Sequence, residues 1–453
     1  MERDRPLVPG EDGARVVDLM ETCYAHREPF EHRWLLPAPS KGRHSGRQTV
    51  TTRGSDLDGA LRERQVLVTG GTGFVGGRLI EKLVLEQGAH VRVLIRSYGT
   101  VARIARLPIE LVKGDITDAG AVQRAVDGCE IVFHCAYGNS GSPDERRQIN
   151  VGGTENVMQA ALRADTQRVV HLSTLRVYGD AGDGDLDETA SYRYSGNVYS
   201  DTKLDAENVV QSLVREHGLP ATILQPTHIY GPHGPLWSAD ILERLKTDRV
   251  VLVNGGTGLC NVVYIDDVVD AILLGATVQA AVGEAFLISD EAPIPWIEYY
   301  EGYRNMLGRG EMVSFSAEEL LQAYDARGQP KPKSLFREIL DLTNEDRQIR
   351  RRLFSTREIR CAAKVGKRIV PRRVRRSLVG SPAQSSPRKL APAEYDAKPT
   401  TVPTMDPAAI RAYAAKTRVR IDKAKRVLGY RPRFDLESGL ERTAQWAEWA
   451  NLL

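Results

Sequence analysis

The sequence predicts an α/β protein: a doubly wound parallel sheet, a smaller C-terminal α+β portion that meets the substrate, and a basic insertion. Three observations carry this. Short β-branched runs alternate with helical patterns from Gln65 to Gln225, a glycine-rich turn follows the first run, and the texture changes near residues 226, 316 and 405. Strands that alternate with helices form right-handed βαβ units, which give a parallel sheet covered on both faces.

The elements follow in order. Gln65–Thr69 is a short apolar run that ends at glycines, and a helical pattern continues to Glu86. His90–Ile95 reads as a second strand, and Ile109–Val112, Ile131–Cys135, Arg168–Ser173 and Ala221–Gln225 as further ones. Residues 226–315 hold shorter elements and more turns. Between 347 and 376 arginine and lysine dominate, with Glu358 the one acid, and 380–404 is rich in Ser, Pro and Ala. The predicted organisation is therefore 1–64 as a flexible N-terminal extension, 65–225 as the sheet domain, 226–315 with 405–453 as the substrate-binding portion, and 316–404 as a basic helical and linker insertion.

Composition excludes several classes. The 453 residues are 42% hydrophobic and 27% charged, which fits a soluble protein with a real core rather than a fibrous or disordered one. No apolar run reaches the ~18 residues of a membrane span, and none follows the N-terminus as a secretory signal would require. The five cysteines are odd in number and lack a CxxC pair, so neither a disulfide framework nor a metal site is expected. These features place the chain in the cytoplasm. The basic segment 347–376 reads as a solvated insertion, or as an amphipathic helix resting on the inner membrane surface. Nucleic acid is not expected, because the segment lacks a platform of stacking aromatics.

The turn Gly70, Thr72, Gly73, Phe74, Val75, Gly76 spaces its glycines as GxxGxxG between a strand and a helix. Missing side chains tighten the turn and admit a pyrophosphate to the helix start, where N–H groups and the helix dipole hold it. The phosphate loop of triphosphatases would need Gly-Lys-Ser/Thr, which is absent. At the end of the second strand, where a carboxylate would hold the ribose hydroxyl of NAD, stands Arg96. A guanidinium suits the 2′-phosphate of NADP, so the cofactor is read as NAD(P) with NADP favoured. Tyr199 and Lys203 lie four apart and leave one helix face. An ammonium beside a phenol favours the phenolate, which equips Tyr199 to exchange a proton with a hydroxyl as hydride moves.

Together with Gly114-Asp115, His134-Cys135-Ala136, Asn150–Thr154, Ser173-Thr174 ahead of Val177-Tyr178-Gly179, Gln225-Pro226, Val263–Val268 and Leu428–Pro432, these motifs resemble the extended short-chain dehydrogenase/reductase family. The closer likeness is to its NAD-dependent epimerase/dehydratase group, which acts on nucleotide sugars. The resemblance implies a Rossmann fold, Thr174, Tyr199 and Lys203 as the catalytic set, and Asp115, Ile116, Ala136, Lys203 and Pro226 as further cofactor contacts. It also implies Ser173, His228 and Asn261 at the substrate, and a homodimer is expected. Two departures narrow the chemistry. Dehydratases of the family carry an acidic pair where this chain has Leu175 and Arg176, so dehydration is not expected. Epimerases carry a phosphate-binding arginine near Val263, where this chain has Asn261. The first reading is an NAD(P)-dependent epimerase or oxidoreductase of a sugar, with a nucleotide sugar as partner. The second is an NADP-dependent reductase or dehydrogenase of a non-sugar alcohol or ketone. A non-catalytic nucleotide-binding scaffold is the third, which an intact Thr174–Tyr199–Lys203 set disfavours.

Overall fold

Strand β1 (Gln65–Thr69) is buried along its last four residues, because both of its faces are covered. Val66 and Val68 point to one side, against Leu79 and Ile80 of α1 (Phe74–Lys82). Leu67 points to the other, into a core shared with Val122, Val157, Met158 and Val210. This alternation explains why the run is apolar throughout instead of apolar at every second position. The computed structural model describes residues 59–247, 249–326 and 402–453. Residues 1–58 of the expected extension and the basic segment 347–376 lie outside them.

The chain forms two units, Met1–Phe315 with Ala408–Leu453, and Ser316–Pro407. In the second, helix Ala317–Ala326 is described. In the first, seven parallel strands run in the order β7-β6-β5-β4-β1-β2-β3. They are β1, β2 (His90–Ile95), β3 (Glu110–Lys113), β4 (Ile131–His134), β5 (Arg168–Leu172), β6 (Ala221–Pro226) and β7 (Ala285–Ile288). α1 and α5 (Ile265–Thr277) cover one face. α2 (Ala119–Val126), α3 (Gly153–Arg163) and α4 (Val198–His217) cover the other. The chain winds outward from β1 to β3, then returns to lay β4 on the far side of β1, with Thr69 paired to both Leu94 and His134. The loops after β1 and β4 therefore diverge and leave a crevice at the strand ends.

Two expectations shift. The seventh strand, β7, comes from the segment assigned to the substrate portion, pairing Ile288 with Pro226, so the sheet crosses the boundary expected at 225/226. Cys135 and Ser173 lie just past the ends of β4 and β5, where the chain has begun to turn into the crevice.

The remaining part of the first unit is built from short pairs. His228–Tyr230 pairs with Val262–Tyr264, and Gly184–Leu186 with Thr417–Val419. Tyrosines Tyr230, Tyr264, Tyr299 and Tyr303 fill its interior. A buried ionic latch ties it to the sheet: Arg78 of α1 donates to Asp266 of α5 at 2.5 and 3.0 Å. Asp267 accepts the backbone N–H groups of Arg433 and Phe434. The Val263–Val268 motif thus works here as a structural joint.

Candidate active site

Backbone, not side chains, shapes the first part of the crevice. Gly70 has φ +71°, and a Cβ on it would meet the backbone of Ala136 at 2.7 Å, so the β1 and β4 loops touch only because Gly70 lacks one. A Cβ on Gly76 would run into the carbonyl of Gly70. Gly73 starts α1 with no side-chain cap, which leaves the first-turn N–H groups facing an exposed surface at Thr72 and Gly73. Such a turn could hold a diphosphate through its N–H donors and the helix dipole.

Arg96 lies exposed just beyond β2. Asp115, after β3, accepts from the Thr117 N–H at 2.9 Å and its hydroxyl at 2.7 Å. Burial raises the pKa of Asp115, but those hydrogen bonds and the Arg96 charge outweigh it and hold the carboxyl below its ordinary value. An open cavity of about 330 Å³ lies beside it, lined by Asp115, Thr117, Ser140, Gly141, Glu145, Gln148 and Ile149. Ile116 is buried against α3.

α4 begins at an Asn197 cap, whose side chain accepts from the N–H groups of Tyr199 and Ser200. This sets Tyr199 in the first turn, half-buried, and Lys203 one turn on and fully buried. The Lys203 ammonium donates to the Leu172 carbonyl at the end of β5 at 2.5 Å. Burial lowers its pKa to about 8, opposed by Cys135 and Glu207. Tyr199 is held above its ordinary value: burial dominates, while the facing Thr174 hydroxyl and the Arg176 charge pull it down. The expected depression of the phenol by Lys203 is not what this arrangement produces, because the ammonium is drawn to Leu172. Tyr137 packs edge-on against Tyr199, ring centroids 5.0 Å apart, with the Lys203 ammonium 5.9 Å from its own ring centre.

Ser173 does not face the substrate side. Its hydroxyl donates to the carboxylate of Glu207, which also receives the Tyr192 hydroxyl at 2.5 Å and the Gln225 amide at 2.8 Å. Glu207 follows Lys203 by one helical turn and is wholly buried, and burial raises its pKa. Behind the trio, His134 bridges Thr69 and Thr154 at 2.8 and 2.9 Å, and burial lowers it to about 3. Neither ring nitrogen of the neighbouring His171 has a partner among the described residues.

A second aromatic cluster, with His228 in it, follows β6. His228, just past Pro226 of β6, sets its ring against Trp237 at 4.4 Å and Trp296 at 5.4 Å, and its Nδ1 lies 2.9 Å from the Asn261 carbonyl. Burial lowers its pKa to about 4, so the ring is neutral near pH 7. Asn261 corrects an expectation. Its amide donates to the Thr417 carbonyl and accepts from the Val419 N–H, both at 2.9 Å, and only 5% of the residue is exposed. It fastens the C-terminal strand in place of meeting a substrate.

The structure thus sets the Thr174 hydroxyl facing Tyr199, with Lys203 one helical turn on, and brings Gly70 against the Ala136 backbone. It turns Ser173 and Asn261 away. Sequence reasoning missed Tyr137 and Glu207. Glu207 carried a signal, since it continues the Tyr199–Lys203 spacing by four residues.

A family model described as the NAD dependent epimerase/dehydratase family matches residues 66–289. The 3 beta-hydroxysteroid dehydrogenase/Delta 5-->4-isomerase of Mycobacterium tuberculosis is 34% identical over 251 residues, covering 52% of this chain and 67% of that protein. The 4-hydroxy-2-methyl-3-oxo-4-farnesyl-3,4-dihydroquinoline-1-oxide ketoreductase of Stigmatella aurantiaca is 29% identical over 236 residues, 51% of this chain and 69% of that one. Among solved structures, the UDP-glucose 4-epimerase of Thermotoga maritima, determined with UDP-glucose, superposes with a TM-score of 0.57 at 20% identity, covering 85% and 99% of the two chains. At that identity the likeness is one of fold.

Proposed function

From its membership of the NAD-dependent epimerase/dehydratase family, as an enzyme of the extended short-chain dehydrogenase/reductase type, we propose that this chain is an NAD(P)-dependent dehydrogenase or reductase of a secondary alcohol or ketone on a largely apolar skeleton. The observation that carries the reading is the environment of Tyr199. Its phenol faces the Thr174 hydroxyl and packs edge-on against Tyr137, and the chain just past β6 adds the aromatic cluster of His228, Trp237 and Trp296. The position where a nucleotide sugar would want a cation holds Asn261, which is spent on backbone. Relatives named for hydroxysteroid and quinoline-oxide ketone chemistry fit the same reading.

The residues fit the cofactor: the glycine turn takes the diphosphate, the cavity beside Asp115 and Ile116 the adenine, and Lys203 the ribose nearest the reacting centre. When bound, the nicotinamide gives or takes the hydride. Thr174 donates to the substrate oxygen and fixes its direction. Tyr199 gives that oxygen a proton during reduction and removes it during oxidation. Lys203, charged below pH about 8 and held at the Leu172 carbonyl, serves that ribose and not the phenol. Glu207 holds Ser173 and so the end of β5 that carries Thr174. Arg96 supports a preference for NADP within a family whose model names NAD.

The test is stoichiometric. With NADPH or NADH present, apolar cyclic ketones should deplete the reduced cofactor one for one. If instead UDP-glucose is interconverted with its epimer and the cofactor absorbance stays constant, the enzyme is a nucleotide-sugar epimerase.

A further inference from the structure

We propose that Tyr137 is a positioning residue for Tyr199. Its ring packs along the helical turn that joins Tyr199 to Lys203, fixes the phenol, and keeps it apart from water and from the ammonium, so that Tyr199 meets the substrate as an acid. This rests on the oxidoreductase reading above and adds a residue to its machinery. Tyr137 stands in the loop after β4, and its ring meets that of Tyr199 edge-on, with centroids 5.0 Å apart and planes at 86°. The Lys203 ammonium lies over the same ring, 5.9 Å from its centre. Tyr199 and Lys203 are one turn apart on α4, so a single side chain borders both members of the pair.

The loop holds Tyr137 in place from both flanks. On one flank, the Ala136 backbone lies so close to Gly70 that a Cβ on the glycine would meet it at 2.7 Å. On the other, Gly138 donates its N–H to the Asn150 amide oxygen at 2.7 Å, and its carbonyl accepts from the amide nitrogen at 3.1 Å. The same amide nitrogen donates to the Thr202 hydroxyl at 3.3 Å, next to Lys203 on α4. Asn150 is only 4% exposed, so one buried group sets the loop against the helix. The edge-on contact puts a positive ring edge against a negative face, which favours one orientation of the Tyr199 ring. The Tyr137 ring also takes the place of water beside the phenol, and without water the phenolate is disfavoured. Burial accordingly raises the pKa of Tyr199, outweighing the Thr174 hydroxyl and the Arg176 charge that face it from the end of β5. The Tyr137 phenol is itself pushed up to about 12, by burial first and by Tyr199 next, so it stays neutral beside its neighbour. The Lys203 ammonium is held at the Leu172 carbonyl at 2.5 Å. Burial lowers its pKa, and Cys135 of the β4 loop and Glu207 of α4 oppose that.

The experiment uses the full chain carrying tyrosine labelled with ¹³C at Cζ, whose NMR signal reports loss of the phenol proton. The Tyr199 signal is the one missing from Tyr199→Phe. It is followed against pH in the wild type, Tyr137→Phe, Tyr137→Ala and Tyr137→Ser. Tyr137→Phe should keep the wild-type midpoint, because the ring contact remains. Tyr137→Ala and Tyr137→Ser should lower it by about one pH unit, since water and the ammonium then reach the phenol. A merely structural role would change stability and leave the midpoint where it was. A midpoint unchanged when the ring is removed, or lowered equally in Tyr137→Phe, would overturn the proposal. Alanine and serine both remove the ring, so either variant decides the matter should the other fail to fold. NADPH and NADH are titrated in parallel by intrinsic fluorescence. If the wild type binds neither, the oxidoreductase reading fails, while the midpoints still decide what Tyr137 does to Tyr199.

Discussion

The two sides of the crevice are made by different means. On the cofactor side, β1 and the turn after it work by what is missing: Gly70 needs φ +71° and no Cβ, and Gly76 must clear the Gly70 carbonyl. Local backbone geometry dictates the residue there, so the requirement is written as spacing. On the other side, the aromatic wall of His228, Trp237 and Trp296 is made of side chains, in a part of the fold held by contacts such as Asn261 to Val419 across 158 positions. No spacing encodes such a wall. A motif is therefore a sound guide to a backbone turn that excludes side chains and a poor guide to the side chains packed elsewhere.

The sharpest way to break this comparison is at Tyr199, where the two sides meet. Tyr199→Phe keeps the ring against Tyr137 and removes the transferable proton. Turnover should fall by ~10²–10⁴-fold, the usual worth of a positioned acid/base, while cofactor affinity stays within about twofold. Steady-state rates beside a fluorescence titration check both. A variant that kept more than about a tenth of the rate would remove Tyr199 from the proton transfer.

The sheet was legible in the sequence nearly strand by strand, since the central strands β1, β4 and β6 are buried on both faces and show as apolar runs, with β-branched residues marking the others. β7 escaped, because Ala285–Ile288 is short and lies after a segment of turns, and its place beside β6 depends on long-range pairing. The pair Tyr199 and Lys203 was legible because one helical turn relates them. The roles of Ser173 and Asn261 were not, because a hydroxyl or an amide serves a substrate and a buried backbone equally well, and only the fold decides. Ser173 meets Glu207, and Asn261 meets Thr417 and Val419.

Asn261→Leu sharpens that distinction. The change removes the partner of a buried carbonyl and a buried N–H, and unsatisfied groups of this kind cost about 1–3 kcal/mol each. Urea unfolding should show a loss of that order, with KM for a ketone substrate changed less than about threefold. An unchanged unfolding midpoint with a large rise in KM would return Asn261 to the substrate side.

The smallest expected effect lies farthest from the chemistry, at Arg96. It follows β2, where a carboxylate would hold the ribose hydroxyls of NAD, and on the proposed reading its exposed guanidinium pairs with a 2′-phosphate. Its charge already reaches Asp115, whose carboxyl it helps to keep ionised, so part of its field is committed. Exposure lets solvent and salt screen the rest, and a charged hydrogen bond in such a place is worth at most ~1.5–3 kcal/mol. NADPH should therefore bind about tenfold tighter than NADH at low salt, and the preference should shrink as salt rises past the point where the Debye length is about 10 Å. Arg96→Ala should abolish the difference by weakening NADPH alone, since plain ribose has no charge to lose. If both cofactors bind the wild type equally, or the mutation weakens them in parallel, Arg96 serves the turn after β2 and not the choice of cofactor.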